Sequence, residues 1–301
     1  MQSRIEKSIA RFLSVTLAPE CGEVIKTLRT KRNGWIKMPD ELEQLRKNSG
    51  LGDTYVLLYE AEPRIYFCLY KAIFSEDTAK QLEQFDAELA EISEAEKLKM
   101  LKDFDNDLSD ETISAEIEEN VSQEEITPEA VQAEFEALPE EERTAIIQRI
   151  QLGLAFFYAT FFNSIALMVH GQKLTTLVPL ALKGDKKAFC KAVQIDRNLL
   201  TGHPYFQDTY ARLQTGENPN FLCDVLTHMN RPPIQGRIRF PALYALFATL
   251  DLFGWLNDLS APEILDMCDE AGLDRYQNRI EDENYLVKRR LEYRNKQKIG
   301  F

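Results

Sequence analysis

The sequence predicts a mainly α-helical protein with a small N-terminal α+β module, and three observations carry that reading. Apolar residues recur at spacings of three and four along most of the chain, the signature of helices with one buried face. Prolines stand at the start of several such stretches, where a missing N–H is harmless. Only one place has two neighbouring runs rich in β-branched and aromatic residues. The 301 residues are 44% hydrophobic and 28% charged. That supplies a core and excludes wholesale disorder, collagen and small disulfide scaffolds.

Taken in order, Ile5, Ile9, Phe12, Leu13 and Leu17 form one face of a first helix, with Arg4, Lys7 and Arg11 elsewhere on the wheel. This is a helix for packing on a core rather than for lying on a membrane. Glu6 and Arg11 break any secretory signal, and Pro19 and Glu20 stand where a lipobox before Cys21 needs small apolar residues. Residues 21–32 form a second helix, and Pro39 opens a third that ends near Asn48 to Gly50. Residues 54–59 and 65–72, separated by a turn containing Pro63, read as a β-hairpin, with Tyr55, Leu57 and Tyr59 on one face of the first strand. The module therefore covers residues 1–75.

A connector over 76–137 follows, helical at first and then polar and partly disordered. From Glu76 to Glu142 there are 24 acidic residues against four lysines and no arginine. The rest of the chain is mildly basic, so the overall charge of -13 hides an acidic middle between basic flanks. Helix starts at Thr127-Pro128 and Leu138-Pro139 lead into a larger helical domain over 138–301.

Residues 150–172 contain no Lys, Arg, Asp or Glu. Such a run is long enough to cross a bilayer. Gln151, Thr160, Asn163, Ser164 and His170 interrupt it, and the mean hydropathy of the chain is -0.34, so a core helix is the preferred reading and a membrane span the alternative. If it spans, Lys173, Lys183, Lys186 and Lys187 set a cytoplasmic C-terminus. Residues 174–182, a helix holding Phe189, Val193 and Leu199, a loop at 201–204, and helices over 206–213, 221–229 and 241–255 come next. A hairpin of residues 260–270 and 282–298, turning at Ala271-Gly272-Leu273, completes the domain.

Two basic clusters are the candidate binding residues. The first is the loop at 230–239, with Arg231, Arg237 and Arg239 beside two prolines and a glycine; the arginine fork suits phosphate or carboxylate recognition. The second is the C-terminal hairpin, which resembles a helix-turn-helix arrangement. That resemblance implies that Arg275, Gln277, Asn278 and Arg279 face base edges, and that Lys288, Arg289, Arg290 and Arg294 face phosphates. Asn278 occupies a position such motifs keep aliphatic, and residues 281–283 are acidic.

Catalytic signatures are missing. The chain has no HExxH, zinc-finger, P-loop or GxGxxG pattern and only three histidines, so no catalytic set, metal or cofactor is expected. Five widely separated cysteines without a CxxC pair point to a reducing, cytoplasmic setting. The expectation is a non-catalytic binding or regulatory protein with a protein or nucleic-acid partner. An enzyme without a readable motif, built from His203, Cys223 and the arginine loop, is the remaining alternative.

Overall fold

A computed structural model of the chain describes residues 4–28, 36, 38–63, 135–231, 238–273 and 283–299. The chain divides into two compact units, one formed by residues 1–70 with 150–301 and the other by 71–149. Every described element is helical, and there is no strand among the described residues.

Helix α1 (Arg4–Leu28) runs unbroken through Pro19, where two helices were expected. An internal proline removes one backbone hydrogen bond and costs about 3 kcal/mol. The apolar stripe nevertheless keeps its phase across it: Ile9, Leu13, Leu17, Cys21, Val24, Ile25 and Leu28 are all buried. Much of that stripe covers α9 (Pro241–Leu252) from the far end of the chain. The backbones approach so closely that a Cβ on Gly22 would stand 2.8 Å from Ala242 Cα, which explains the glycine. Residues of the expected N-terminal module thus share one core with the C-terminal helices.

Helix α2 (Asp40–Asn48) starts after Pro39 as expected. The next segment corrects the expected β-hairpin. Residues Thr54–Glu60 form a 3₁₀ helix rather than a first strand, and the second run, 65–72, lies outside the described residues. A strand would put Tyr55, Leu57 and Tyr59 on one face. Instead Tyr55, Val56 and Tyr59 are buried while Leu57 is 44% exposed, a helical pattern. Buried Asp196 explains the choice, because its Oδ2 accepts from both tyrosine hydroxyls, Tyr55 at 2.9 Å and Tyr59 at 2.8 Å. Two residues one helical turn apart reach the same oxygen.

Helix α3 (Glu140–His170) belongs to the first unit from residue 150 onward. It is long and apolar enough to cross a membrane, and its most apolar window is mostly buried inside the protein. The polar residues in that window all have partners. Thr160 donates to the Phe156 carbonyl, Asn163 donates to that of Ala159, and Ser164 bonds to Thr249 of α9 at 2.9 Å. Asn163 Oδ1 also accepts from the Thr175 amide, closing the first turn of α4 (Leu174–Leu182), which has no side-chain cap of its own.

Short helices follow: α5 (Lys186–Ile195), α6 (Leu199–Gly202), α7 (Pro204–Gln214) and α8 (Pro219–Asn230), with α5 packed on α4 and α8. Helix α6 occupies part of what was expected to be a loop. There Thr201 donates to Asp53, and a Cβ on Gly202 would lie 2.3 Å from the Asp53 carbonyl oxygen. Helix α9 stops at Leu252, short of the expected 255, because Gly254 takes φ +81° and the Trp255 amide returns to the Leu250 carbonyl. A capping box of Ser260 and Glu263 opens α10 (Ala261–Glu270), and α11 (Glu283–Ile299) packs on α9 and α10.

Candidate macromolecule-binding face

Helix α11 has two faces of different use. Its inner face buries Leu286, Arg289 and Tyr293, and the Tyr293 ring lies 5.8 Å from Tyr244 and 5.7 Å from Phe247 on α9. Arg289 is only 5% exposed; its guanidinium sits 4.5 Å over the Phe240 ring and donates to Glu292 at 2.5 Å. Arg290 donates to the carbonyls of Leu256 and Leu259 at 3.2 and 3.1 Å, terminating the turn after α9. Burial, then the neighbouring Arg294, draws its pKa below the usual arginine value. Lys296 lies 5.5 Å from the Tyr244 ring, and burial lowers its pKa as well. Desolvation, with Glu292 close by, pushes the Tyr244 phenol up to about 12.

The outer face is open. Val287 and Leu291 are 50% and 57% exposed, one turn apart, with exposed Lys288 on one flank and half-buried Arg294 on the other. Asn284 and Asn295 continue the same exposed stripe. The helix is therefore fixed from behind and presents two aliphatic side chains between two cations.

Of the residues singled out in the sequence, Arg231, Arg239 and Lys288 are exposed, and Arg239 acts electrostatically on Tyr244 and Lys296. The end of the arginine loop and α11 thus share one field. Arg289 and Arg290 are committed to packing and carbonyl capping. Arg237, Arg275, Gln277, Asn278 and Arg279 lie outside the described residues; the turn at Ala271-Gly272-Leu273 is described, with Gly272 at φ +61°, but residues 274–282, which would begin the second helix, are not. Sequence reasoning missed Val287 and Leu291. Their signal was present, since both fall at least 100° from Leu286 and Tyr293 on the helical wheel, but a basic helix was read for charge alone.

The residues of the enzyme alternative sit in different surroundings. His203 is buried beside Phe206, with Nε2 3.0 Å from Glu60 Oε1 but without hydrogen-bond alignment, whereas Cys223 is exposed on α8. Cys21, Cys190 and Cys268 are buried, and burial raises the Cys190 thiol to about 11, away from thiolate chemistry. His170 is held down to about 4 by burial, with Lys191 and His228 adding repulsion, so it is neutral at pH 7. Among the described residues no group of three or more His, Cys, Asp or Glu is placed to hold a metal ion.

Asp196 is a fully buried carboxylate. Full burial raises its pKa to about 6, against the opposing hydrogen bonds from Tyr59, the Asn198 amide and Tyr55. Asn198 also donates to the Tyr55 hydroxyl at 2.8 Å, closing the network. Asp196 Oδ2 and the Asn198 amide group hold the 3₁₀ segment, while Asp196 Oδ1 accepts from the Asn198 backbone N–H at 3.0 Å. No protein family, curated protein or solved structure matches the chain.

Proposed function

We propose that this chain is a non-catalytic binding protein that engages another protein through the outer face of α11, the partner surface being acidic with an apolar centre. The observation that supports the reading is the pairing of exposed Val287 and Leu291 with Lys288 and Arg294 on a helix anchored by its opposite face. Aliphatic side chains flanked by cations match an acidic amphipathic surface by shape and by charge. Nucleic acid is less well matched, because Arg289 and Arg290 are already engaged. A cytoplasmic setting belongs to the same proposal and rests on the odd number and wide spacing of the cysteines.

The test titrates the full chain with an acidic amphipathic helical peptide, and with single- and double-stranded DNA and RNA, over a range of salt. Peptide binding that falls at least tenfold in Leu291→Asp, with nucleic-acid binding absent or far weaker, supports the reading. Nucleic-acid binding that weakens in Lys288→Ala and is indifferent to Leu291→Asp overturns it, as does failure of all probes at low salt.

A further inference from the structure

The 3₁₀ segment is held down more by remote partners than by its own backbone. Seven residues are a long run for a 3₁₀ helix, whose hydrogen bonds are poorly aligned, and neither end has a side-chain cap. Gly50 and Gly52, at φ +69° and +62°, form the turn that separates it from α2. Its hold comes from elsewhere: it packs on α4 and α6, and the Tyr55 ring stacks on Phe162 of α3 at 6.0 Å.

The polar part of that hold converges on one carboxylate. Asp196 Oδ2 accepts from both tyrosine hydroxyls, and Asn198 ties the Tyr55 oxygen to the same stretch of chain. Among the described residues no cation pairs with Asp196. Arg46 of α2 pairs with Glu43 and Asp53, Arg197 donates to the Met229 carbonyl, and Tyr158 of α3 donates to the Leu42 carbonyl. Helices α4 and α6 carry no ionisable side chain. Asp53, on the segment itself, adds repulsion. Farther along, His203 Nε2 stands 3.0 Å from Glu60 Oε1, and histidine is the other residue type here that changes charge near neutrality.

Ionising Asp196 therefore places a charge in this contact without a counter-charge, and only hydrogen bonds offset its lost hydration. Burial raises its pKa to about 6 from the ordinary 3.8, so the docked segment binds the proton more tightly than a released one. The advantage of docking is complete below about pH 4 and is lost as pH rises through 6.

We infer that residues 53–60 are a pH-sensitive strap, docked in acid and released more often toward neutral pH, and that release uncovers the Tyr158 and Phe162 rings of α3 and the adjoining side of α4.

Native-state hydrogen exchange of the full chain, read by mass spectrometry between pH 5 and 7.5 and corrected for the intrinsic pH dependence of amide exchange, tests this. Amides of 54–60 are expected to be at least tenfold less protected than those of α9 and indifferent to low urea, which marks a local opening. Their protection falls about tenfold from pH 5 to 7.5, the factor that the docked and released pKa values of Asp196 set. Asp196→Asn flattens that fall. Tyr59→Phe steepens it, because the ionised carboxylate loses a hydrogen bond, and retained protection of α9 shows that each variant folds. Protection of 54–60 equal to that of α9 with the same urea dependence overturns the inference, as does protection that ignores pH. A fall that survives Asp196→Asn, or that disappears in Glu60→Gln, assigns the pH dependence to His203 and Glu60 and overturns it too. Leu291→Asp leaves the fall unchanged, so the strap and the α11 face succeed or fail separately.

Discussion

The 3₁₀ junction and helix α11 both carry polar side chains on helical turns, yet they use them in opposite ways. At the junction, Tyr55, Tyr59 and Asn198 surround a carboxylate that is 1% exposed, and every group serves another. On α11 the charges are divided, with Arg289 and Arg290 turned into packing and capping groups and Lys288 left to solvent. Polar residues that satisfy one another specify a fold, whereas those left over define what the surface offers. Net charge summed along a sequence does not separate the two.

Steric substitution at the junction is the most severe way to break this contrast. Gly202→Ala drives a Cβ into the Asp53 carbonyl and is expected to lower stability by about 2–4 kcal/mol in urea unfolding, with Gly22→Ala comparable at the α1–α9 crossing. Gly153→Ala is the control. An added Cβ there meets nothing within 4 Å, so replacing a glycine inside a helix is expected to raise stability by about 0.5–1 kcal/mol.

The buried carboxylate supplies the next test. Because Asp196 titrates near 6 in the fold against 3.8 as the ordinary value, the folded state holds its proton more tightly than the unfolded chain. Its contribution is therefore complete below about pH 4 and is lost as pH rises through 6, by up to about 3 kcal/mol. Unfolding free energies measured from pH 4 to 7 should show that decline, and Asp196→Asn should remove it. Tyr59→Phe takes one hydrogen bond from the carboxylate and is expected to cost about 1.5–3 kcal/mol at pH 7.

On α11 the expected effects are smaller and diverge between neighbours. Arg289→Ala loses the Phe240 contact and the packed aliphatic stem, about 1–2 kcal/mol by thermal or urea unfolding. Lys288→Ala is expected to change stability by less than about 0.5 kcal/mol. Equal losses for the two would dissolve the division between fold-making and surface cations.

Much of the helical layout was legible because its signals are local. Pro39 and Pro241 mark helix starts, as does Ser260 with Glu263 three residues on, whereas Pro204 and Pro219 open helices that were expected to begin two residues later. The 3₁₀ segment was misread because strand propensity reports a fit to a half-buried surface, and here the deciding partner, Asp196, lies far along the chain. The division of α1 into two helices was misread for the same reason: α9, also remote, packs against it. The binding face was legible only as charge. Which cations are free depends on Phe240, Leu256 and Leu259, whose positions no spacing rule supplies.

The pairing of α1 with α9 also sets an order of events at the ribosome. Helix α1 is covered by one that follows roughly 200 residues later, which at typical rates of synthesis means on the order of ten to forty seconds. During that interval Ile9, Leu13, Leu17 and Ile25 have no native cover from α9. The α1 stripe of a nascent chain therefore stays without its native cover until residues 241–252 have emerged, and this part of the core closes no earlier than that.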